Sequence, residues 1–99
     1  MMKIYKSEYI KISRTVITKL RILDCWGKGS VYIDVLKSGF PPEKTDKVKR
    51  VIDGLVKQQI IIKKKKEHGW KYYLNKEKQG KIKDICKEIG RKTLLLFLL

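Results

Sequence analysis

Residues that build metal, disulfide and catalytic sites are scarce in this chain of 99 residues. It has one histidine, His68, and two cysteines, Cys25 and Cys86. These are too few for a disulfide framework or a structural zinc site, so we expect two small, buried apolar thiols, with a disulfide as the alternative. No serine or cysteine adjoins His68, and the acidic residues are scattered without a pair suited to proton transfer. The sequence therefore predicts no enzyme activity, no metal and no cofactor.

Long apolar runs are also missing. The longest covers residues 94–99 and has six residues, whereas a membrane-spanning helix needs roughly 20. No basic segment followed by an apolar stretch opens the chain, so we expect a cytoplasmic, intracellular protein without a membrane span. The length excludes large barrels and doubly wound sheets.

Negative charge is scarce relative to positive charge. The 25 lysines and arginines against 10 acidic residues give a net charge of +15. Of the basic residues 21 are lysine and no alanine occurs, a bias typical of AT-rich genomes such as those of many thermophilic archaea and their viruses. The densest positive stretch is 60–75, with five lysines and one acid. Such an excess predicts a polyanionic partner.

Two helices are predicted in the first 40 residues. The apolar spacing favours one over about 14–26 with Ser13 as its N-cap, and a short second helix capped by Ser30 and stopped by Gly39. Residues 1–12 show no clear period, so an arm, a short strand and a helical extension all remain open.

The third helix has the clearest pattern. It follows the break at Phe40-Pro41-Pro42, and its start is left open between Pro42 and Thr45. Gly54 within it costs about 1 kcal/mol relative to alanine. The apolar positions repeat at the spacing of one helix face: Val48, Val51, Ile52, Leu55 and Val56.

A β-hairpin and a last helix follow. The β-branched run that begins at Ile60, the turn residues Glu67-His68-Gly69 and the segment 70–74 predict two strands with a basic tip. Trp70 and Tyr73 are expected to pack on the helices. Asn75 is the predicted cap of a final helix that Gly90 ends, with an apolar stripe of Ile82, Ile85, Cys86 and Ile89.

This order of elements resembles the winged helix-turn-helix transcriptional regulators of the MarR and PadR kind. The most specific stretch reads V-x-x-V-I-x-x-L-V-x-x-x-I-I-I from Val48, then a basic hairpin, then Y-x-L-N-x-x-x-x-G. Tyr72, Leu74 and Gly80 stand where that family has Y-x-L-T and an early helical glycine. One departure is Gln58-Gln59, where the family often has a glycine after the recognition helix.

The resemblance implies an α+β fold, a small winged helix-turn-helix domain with a three-helix core, a β-hairpin wing and a C-terminal helix. The domain would span 13–90, between an N-terminal arm or extension at 1–12 and an apolar tail at 91–99. It implies a double-stranded DNA-binding protein, a transcriptional regulator with helix three in the major groove and the wing on the backbone. No small-molecule ligand is evident.

Candidate DNA contacts follow from the charged positions of these elements. Arg50 suits a base edge because its planar fork can make two hydrogen bonds, and Lys47 and Lys49 could reach phosphates. The complete set is Lys44, Thr45, Lys47, Lys49, Arg50, Lys64, Lys65, Lys66, His68 and Lys71. A solvated helix face and a lysine-protected sheet edge are the alternatives that need no ligand.

Two other functions remain open at this point. A winged helix that binds RNA or single strands would use Trp70, Tyr72 and Tyr73 for stacking. A protein-interaction module would use the basic surface without any nucleic-acid role.

The apolar tail predicts a homodimer, because a tail of this kind would cause aggregation if it were exposed to solvent. Packing against the N-terminal arm and contact with a membrane surface are the alternatives. The predicted dimer interface consists of Leu94, Leu95, Leu96, Phe97, Leu98 and Leu99.

Overall fold

The computed structural model describes residues 4–88. The α-helices are α1 (Lys6–Ile22), α2 (Ile33–Lys37), α3 (Thr45–Lys57) and α4 (Gln79–Glu88). The strands are β1 (Val31–Tyr32), β2 (Ile61–Lys66) and β3 (Gly69–Leu74). Within 4–88, no helix is long and apolar enough to span a membrane. Ile89, Gly90 and the predicted dimer interface at 94–99 lie outside the described residues.

One apolar core joins the helices to one face of the sheet. It draws side chains from every helix, which bears out the prediction of a small α+β domain. Its fully buried members include Ile17, Leu20, Leu36, Ile52, Leu55, Ile61, Leu74 and Ile82.

The sheet has three antiparallel strands in the order β1-β3-β2. The predicted hairpin is confirmed: its register runs from Ile61 opposite Leu74 to Lys66 opposite Gly69, and Glu67 and His68 form the turn. Gly69 has a φ of 124°, a backbone conformation that residues with a Cβ rarely adopt. On the far side of β3, Val31 pairs with Tyr72.

The first helix begins earlier and ends earlier than predicted. It starts at Lys6, so residues 6–12 are its first turns and Ser13 is not an N-cap. The Ser13 hydroxyl instead donates to the Tyr9 carbonyl at 2.8 Å, an internal bond that serine can make inside a helix. The helix ends before Gly27 because Asp24 takes the left-handed conformation (φ 56°) and the Cys25 N–H bonds to the Leu20 carbonyl.

The second helix is shorter than predicted, and Ser30 is not its N-cap. Val31 and Tyr32 first pair with β3, because a β-branched and an aromatic residue suit the open edge of that strand. The helix then starts at Ile33. Its last carbonyls are held by Lys19 of α1, whose ammonium donates to the Val35 carbonyl at 3.3 Å and to the Ser38 carbonyl.

The third helix is confirmed. A 3-10 turn over Pro42–Lys44 leads into it at Thr45. The Thr45 hydroxyl donates to the Pro42 carbonyl at 2.9 Å and does not cap the helix. The helical segment therefore begins at Pro42, whose fixed φ suits a first helical position. Packing explains the glycine at position 54, because a Cβ on Gly54 would collide with the hydroxyl of Tyr9.

The last helix follows the predicted cap. The Asn75 side chain accepts from the Glu77 N–H at 3.1 Å, which begins a 3-10 turn leading into α4. Ile82 is buried and Ile85 lies against the core. Both cysteines carry free thiols; Cys25 is buried, as predicted, whereas Cys86 is only half-buried.

Candidate nucleic-acid interface

The outer face of α3 carries charges of both signs. The side of the helix opposite the core exposes Lys49 and Arg50, two of the predicted DNA contacts, together with Lys57. Asp46 and Asp53 are also exposed on this side. Because two acids offset the cations, a phosphate would be attracted to only part of this face.

The other predicted contacts of the α3 region are bonded within the protein. The ammonium of Lys47 lies 3.2 Å from a carboxylate oxygen of Glu8 in α1, and that of Lys44 lies 3.9 Å from the same atom. Thr45 is bound to the preceding turn. The expectation that Lys47 reaches phosphate is therefore not supported by its contacts, because it already has a carboxylate partner. This partner could not be predicted from a local pattern, because Glu8 lies 39 residues from Lys47.

Tyr9 continues this contact between α1 and α3. Its hydroxyl lies over Gly54 and accepts a hydrogen bond from the Gln58 side chain at 3.4 Å. Burial raises the pKa of Tyr9, and the bond from Gln58 offsets part of that rise. Glu8 and Tyr9 thus fix one side of α3 to α1.

The hairpin lysines divide between two faces, because successive side chains of a strand alternate. The register places Lys63 and Lys65 on the face that continues the buried Ile61, Tyr72 and Leu74. We call this the helix-side face. The outer face carries Lys64, Lys66 and Lys71. Of the predicted hairpin contacts, Lys65 lies on the helix-side face, next to Lys63.

Two lysines of the hairpin lie over aromatic rings. The Lys63 ammonium is 4.7 Å from the ring centroid of Trp70 on the helix-side face. On the outer face, Lys71 is 4.9 Å from the ring of Tyr32. Each pair is a cation–π contact that fixes the lysine near its strand.

The prediction that Trp70 packs in the core is wrong, because its side chain is 43% exposed. Trp70 lies opposite Lys65, next to the turn, beyond the part of the hairpin that the helices cover. Tyr73 does lie partly buried against the core, as expected. His68 is exposed at the tip, as its turn pattern indicated.

The third helix packs against β2, the strand that carries Lys63 and Lys65. Burial raises the pKa of Tyr72, and the negative charge of Asp53 raises it further. The exposed cations of α3 and of the helix-side face therefore lie on two elements that pack against each other.

Asn75 joins the two ends of the hairpin. Its side-chain amide donates to the Gln59 carbonyl at 2.8 Å, and its backbone N–H donates to the Ile60 carbonyl at 3.0 Å. Gln59 has a φ of 62°, the left-handed conformation that glycine adopts most easily. The glutamine is thus held in a glycine-like conformation where α3 leads into β2.

Residues 4–88 contain no group of three or more histidine, cysteine, aspartate or glutamate side chains placed to hold a metal ion. Comparisons with protein-family models, curated proteins and solved structures gave no match to this chain. What the protein binds is therefore inferred from its own residues.

Proposed function

We propose that the protein is a winged helix-turn-helix that binds double-stranded DNA. The element order α1-β1-α2-α3-β2-β3-α4 and the strand order β1-β3-β2 support this fold. In such a domain α3 enters the major groove and the hairpin contacts the adjacent backbone. Fold alone does not assign a function, so the charged surface has to support it independently.

The observation that carries the proposal is the presence of exposed cations on two elements that pack against each other. Lys49 and Arg50 are exposed on α3, and Lys63 and Lys65 are exposed on β2, the strand that contacts this helix. A helix and a cationic hairpin side by side can cover a groove and the phosphates along its edge. Four contacts of this kind correspond to a slope of about −3.6 for log Kobs against log[salt].

Arg50 is the proposed reader of a base edge. Its guanidinium can make two parallel hydrogen bonds to guanine, worth about 1–3 kcal/mol of discrimination. Lys49 offers a point charge and would bind phosphate. Regulation of transcription is the role that we propose for such a site-selective DNA-binding domain.

The test is fluorescence anisotropy with labelled duplexes of about 25 bp. The salt concentration is varied from about 50 to 300 mM, a range over which binding through phosphate contacts weakens strongly. We expect steep salt dependence for the wild type. Arg50→Ala should bind more weakly and discriminate less between duplex sequences. Lys11→Ala removes an exposed lysine of α1 and serves as the matched control with nearly wild-type binding. No binding even at low salt would overturn the proposal and favour a protein-interaction module.

Recognition through a row of stacked bases is the less favoured alternative. It needs Trp70, Tyr72 and Tyr73 together, yet Tyr72 is 5% exposed and Tyr73 lies against the core. The homodimer stays a prediction from the sequence, since residues 94–99 lie outside the described part. Truncation after Lys92 should halve the mass measured by light scattering; an unchanged species would contradict the dimer.

A further inference from the structure

Trp70 is a large aromatic side chain that the core leaves out. On the helix-side face of β3, Tyr72 and Leu74 are buried, whereas Trp70 is 43% exposed. Those two residues already anchor the strand to the helices. Trp70 therefore exposes an aromatic surface next to the hairpin tip that packing does not account for.

Lysines surround this ring on its own face of the sheet. Lys65 is its direct partner in the register, and Lys63 places its ammonium 4.7 Å from the ring centroid. The Lys63 ammonium holds the ring in position, and Lys65 is exposed directly opposite it on the neighbouring strand. An aromatic ring flanked by cations is the combination that proteins use to stack a nucleobase while binding its phosphates.

We propose that Trp70 is a stacking site for a single unpaired nucleobase, with Lys63 and Lys65 binding the phosphates on either side of it. The inference rests on the proposed DNA binding and names the DNA that would bind best. A base within a duplex has both faces covered by its neighbours. An unpaired base at a duplex end has one face available, so the preferred ligand is a duplex with a single-stranded extension.

The site has room for one base. Tyr72 is buried and Tyr73 lies on the opposite face of the strand, so neither extends the stack beyond Trp70. A one-nucleotide extension should therefore give the whole gain in affinity from stacking. Longer extensions should add only the salt-dependent effect of their phosphates.

The experiment compares four duplexes of equal length by anisotropy: blunt, with a one-nucleotide extension, with a three-nucleotide extension, and with one abasic nucleotide. The abasic extension adds the same phosphate without a base and is the matched control. We expect the one-nucleotide extension to raise affinity at least about 5-fold over the abasic one. The three-nucleotide extension should show no comparable second increase.

Substitution of the ring tests its role directly. Trp70→Ala should abolish the difference between the normal and abasic extensions, and Trp70→Phe should retain most of it. Trp26, which lies partly buried against the core, is the other tryptophan of the chain. In a Trp26→Phe background, emission from Trp70 should be quenched by the normal extension and much less by the abasic one.

The outcomes separate the two proposals. Equal affinity for all four duplexes, with salt-dependent binding intact, would overturn the stacking site and leave the DNA-binding function standing. A preference that survives Trp70→Ala in a folded variant would also overturn it. Failure to bind any duplex at low salt would overturn the proposed function, and the stacking site with it.

Discussion

The carboxylate of Glu8 lies 3.2 Å from the ammonium of Lys47, so α1 neutralises a cation at the start of α3. The same carboxylate is 3.9 Å from Lys44. Two of the basic residues nearest the proposed DNA-contacting helix are thus engaged within the protein. A phosphate that approached them would have to compete with Glu8.

Glu8→Gln should strengthen binding to duplex DNA and steepen its salt dependence. Two released lysines would add about 1–2 to the magnitude of the slope. Glu43→Gln is the control, because it makes the same charge change at an exposed position in the turn before α3. Lys47→Ala should have little effect in the wild type and a clear effect in the Glu8→Gln background. Weaker binding by Glu8→Gln, measured by anisotropy, would contradict this prediction.

The two faces of the hairpin should contribute unequally to DNA binding. Lys63→Ala/Lys65→Ala and Lys64→Ala/Lys66→Ala remove the same charge from adjacent positions on opposite faces. Because the helix-side face adjoins α3, we expect the first variant to reduce the salt slope by about 1.8 and the second by much less. Equal slopes in a salt titration would mean that DNA does not discriminate between the faces.

The contact between Tyr9 and Gly54 can be measured as a coupling free energy. Gly54→Ala should lower the free energy of unfolding by about 1–3 kcal/mol, because the added Cβ meets the Tyr9 hydroxyl. In a Tyr9→Phe background that hydroxyl is gone, and the helix propensity of alanine should bring the change close to zero or reverse it. Urea unfolding of the four proteins gives the coupling, expected to exceed about 1 kcal/mol. Additive effects would count against the contact.

Cys25 should make the protein less stable at alkaline pH. Burial raises the pKa of its thiol, and the charge of Asp24 adds to the rise. The unfolded chain therefore loses this proton first, from about pH 8.5, and stability falls from there to the higher pKa of the folded state. Below that range the contribution of the neutral thiol is fully present.

Urea unfolding between pH 7 and 10 tests this linkage. Cys25→Ala should be less stable throughout, with a shallower decline just above about pH 8.5 than the wild type. Parallel curves would contradict the assignment. Burial also raises the pKa of Tyr9 and Tyr72, so both proteins should lose further stability above about pH 10.

Asn75 has two functions that substitution can separate. Asn75→Asp keeps an oxygen to accept from the Glu77 N–H but removes the donor to the Gln59 carbonyl. We expect the free energy of unfolding to fall by about 1–3 kcal/mol, because the Gln59 carbonyl loses its donor and faces the new carboxylate instead. Asn75→Ala also loses the helix cap, worth about 1 kcal/mol, but it adds no charge. Urea unfolding of both variants tests these losses, and an unchanged Asn75→Asp would show that the amide bond adds no stability.

The elements that the sequence predicted best have local causes. The five apolar positions of α3 and the turn of the hairpin depend on neighbouring residues, so their patterns are complete within a short window. The cap formed by Asn75 is local in the same sense. Lys49, Arg50 and the hairpin lysines were found as exposed cations for this reason.

The features that the sequence did not reveal depend on distant partners. Val31 and Tyr32 form a strand only because β3 offers an open edge, and Glu8 becomes part of the basic surface only because α1 packs on α3. Trp70 looks like a core residue by type. Its exposure is decided by how far the hairpin extends past the helices, which periodicity does not encode.

The bond from the Asn75 side chain at the base of the hairpin also bears on how accurately the tip is placed. Strands of six residues reach about 20 Å, so a tilt of about 10° at Asn75 would swing His68 through roughly 3.5 Å. That displacement exceeds the length of a hydrogen bond. The position of the tip on any ligand is therefore set by packing and hydrogen bonds at the base of the hairpin, far from the atoms that would touch the ligand.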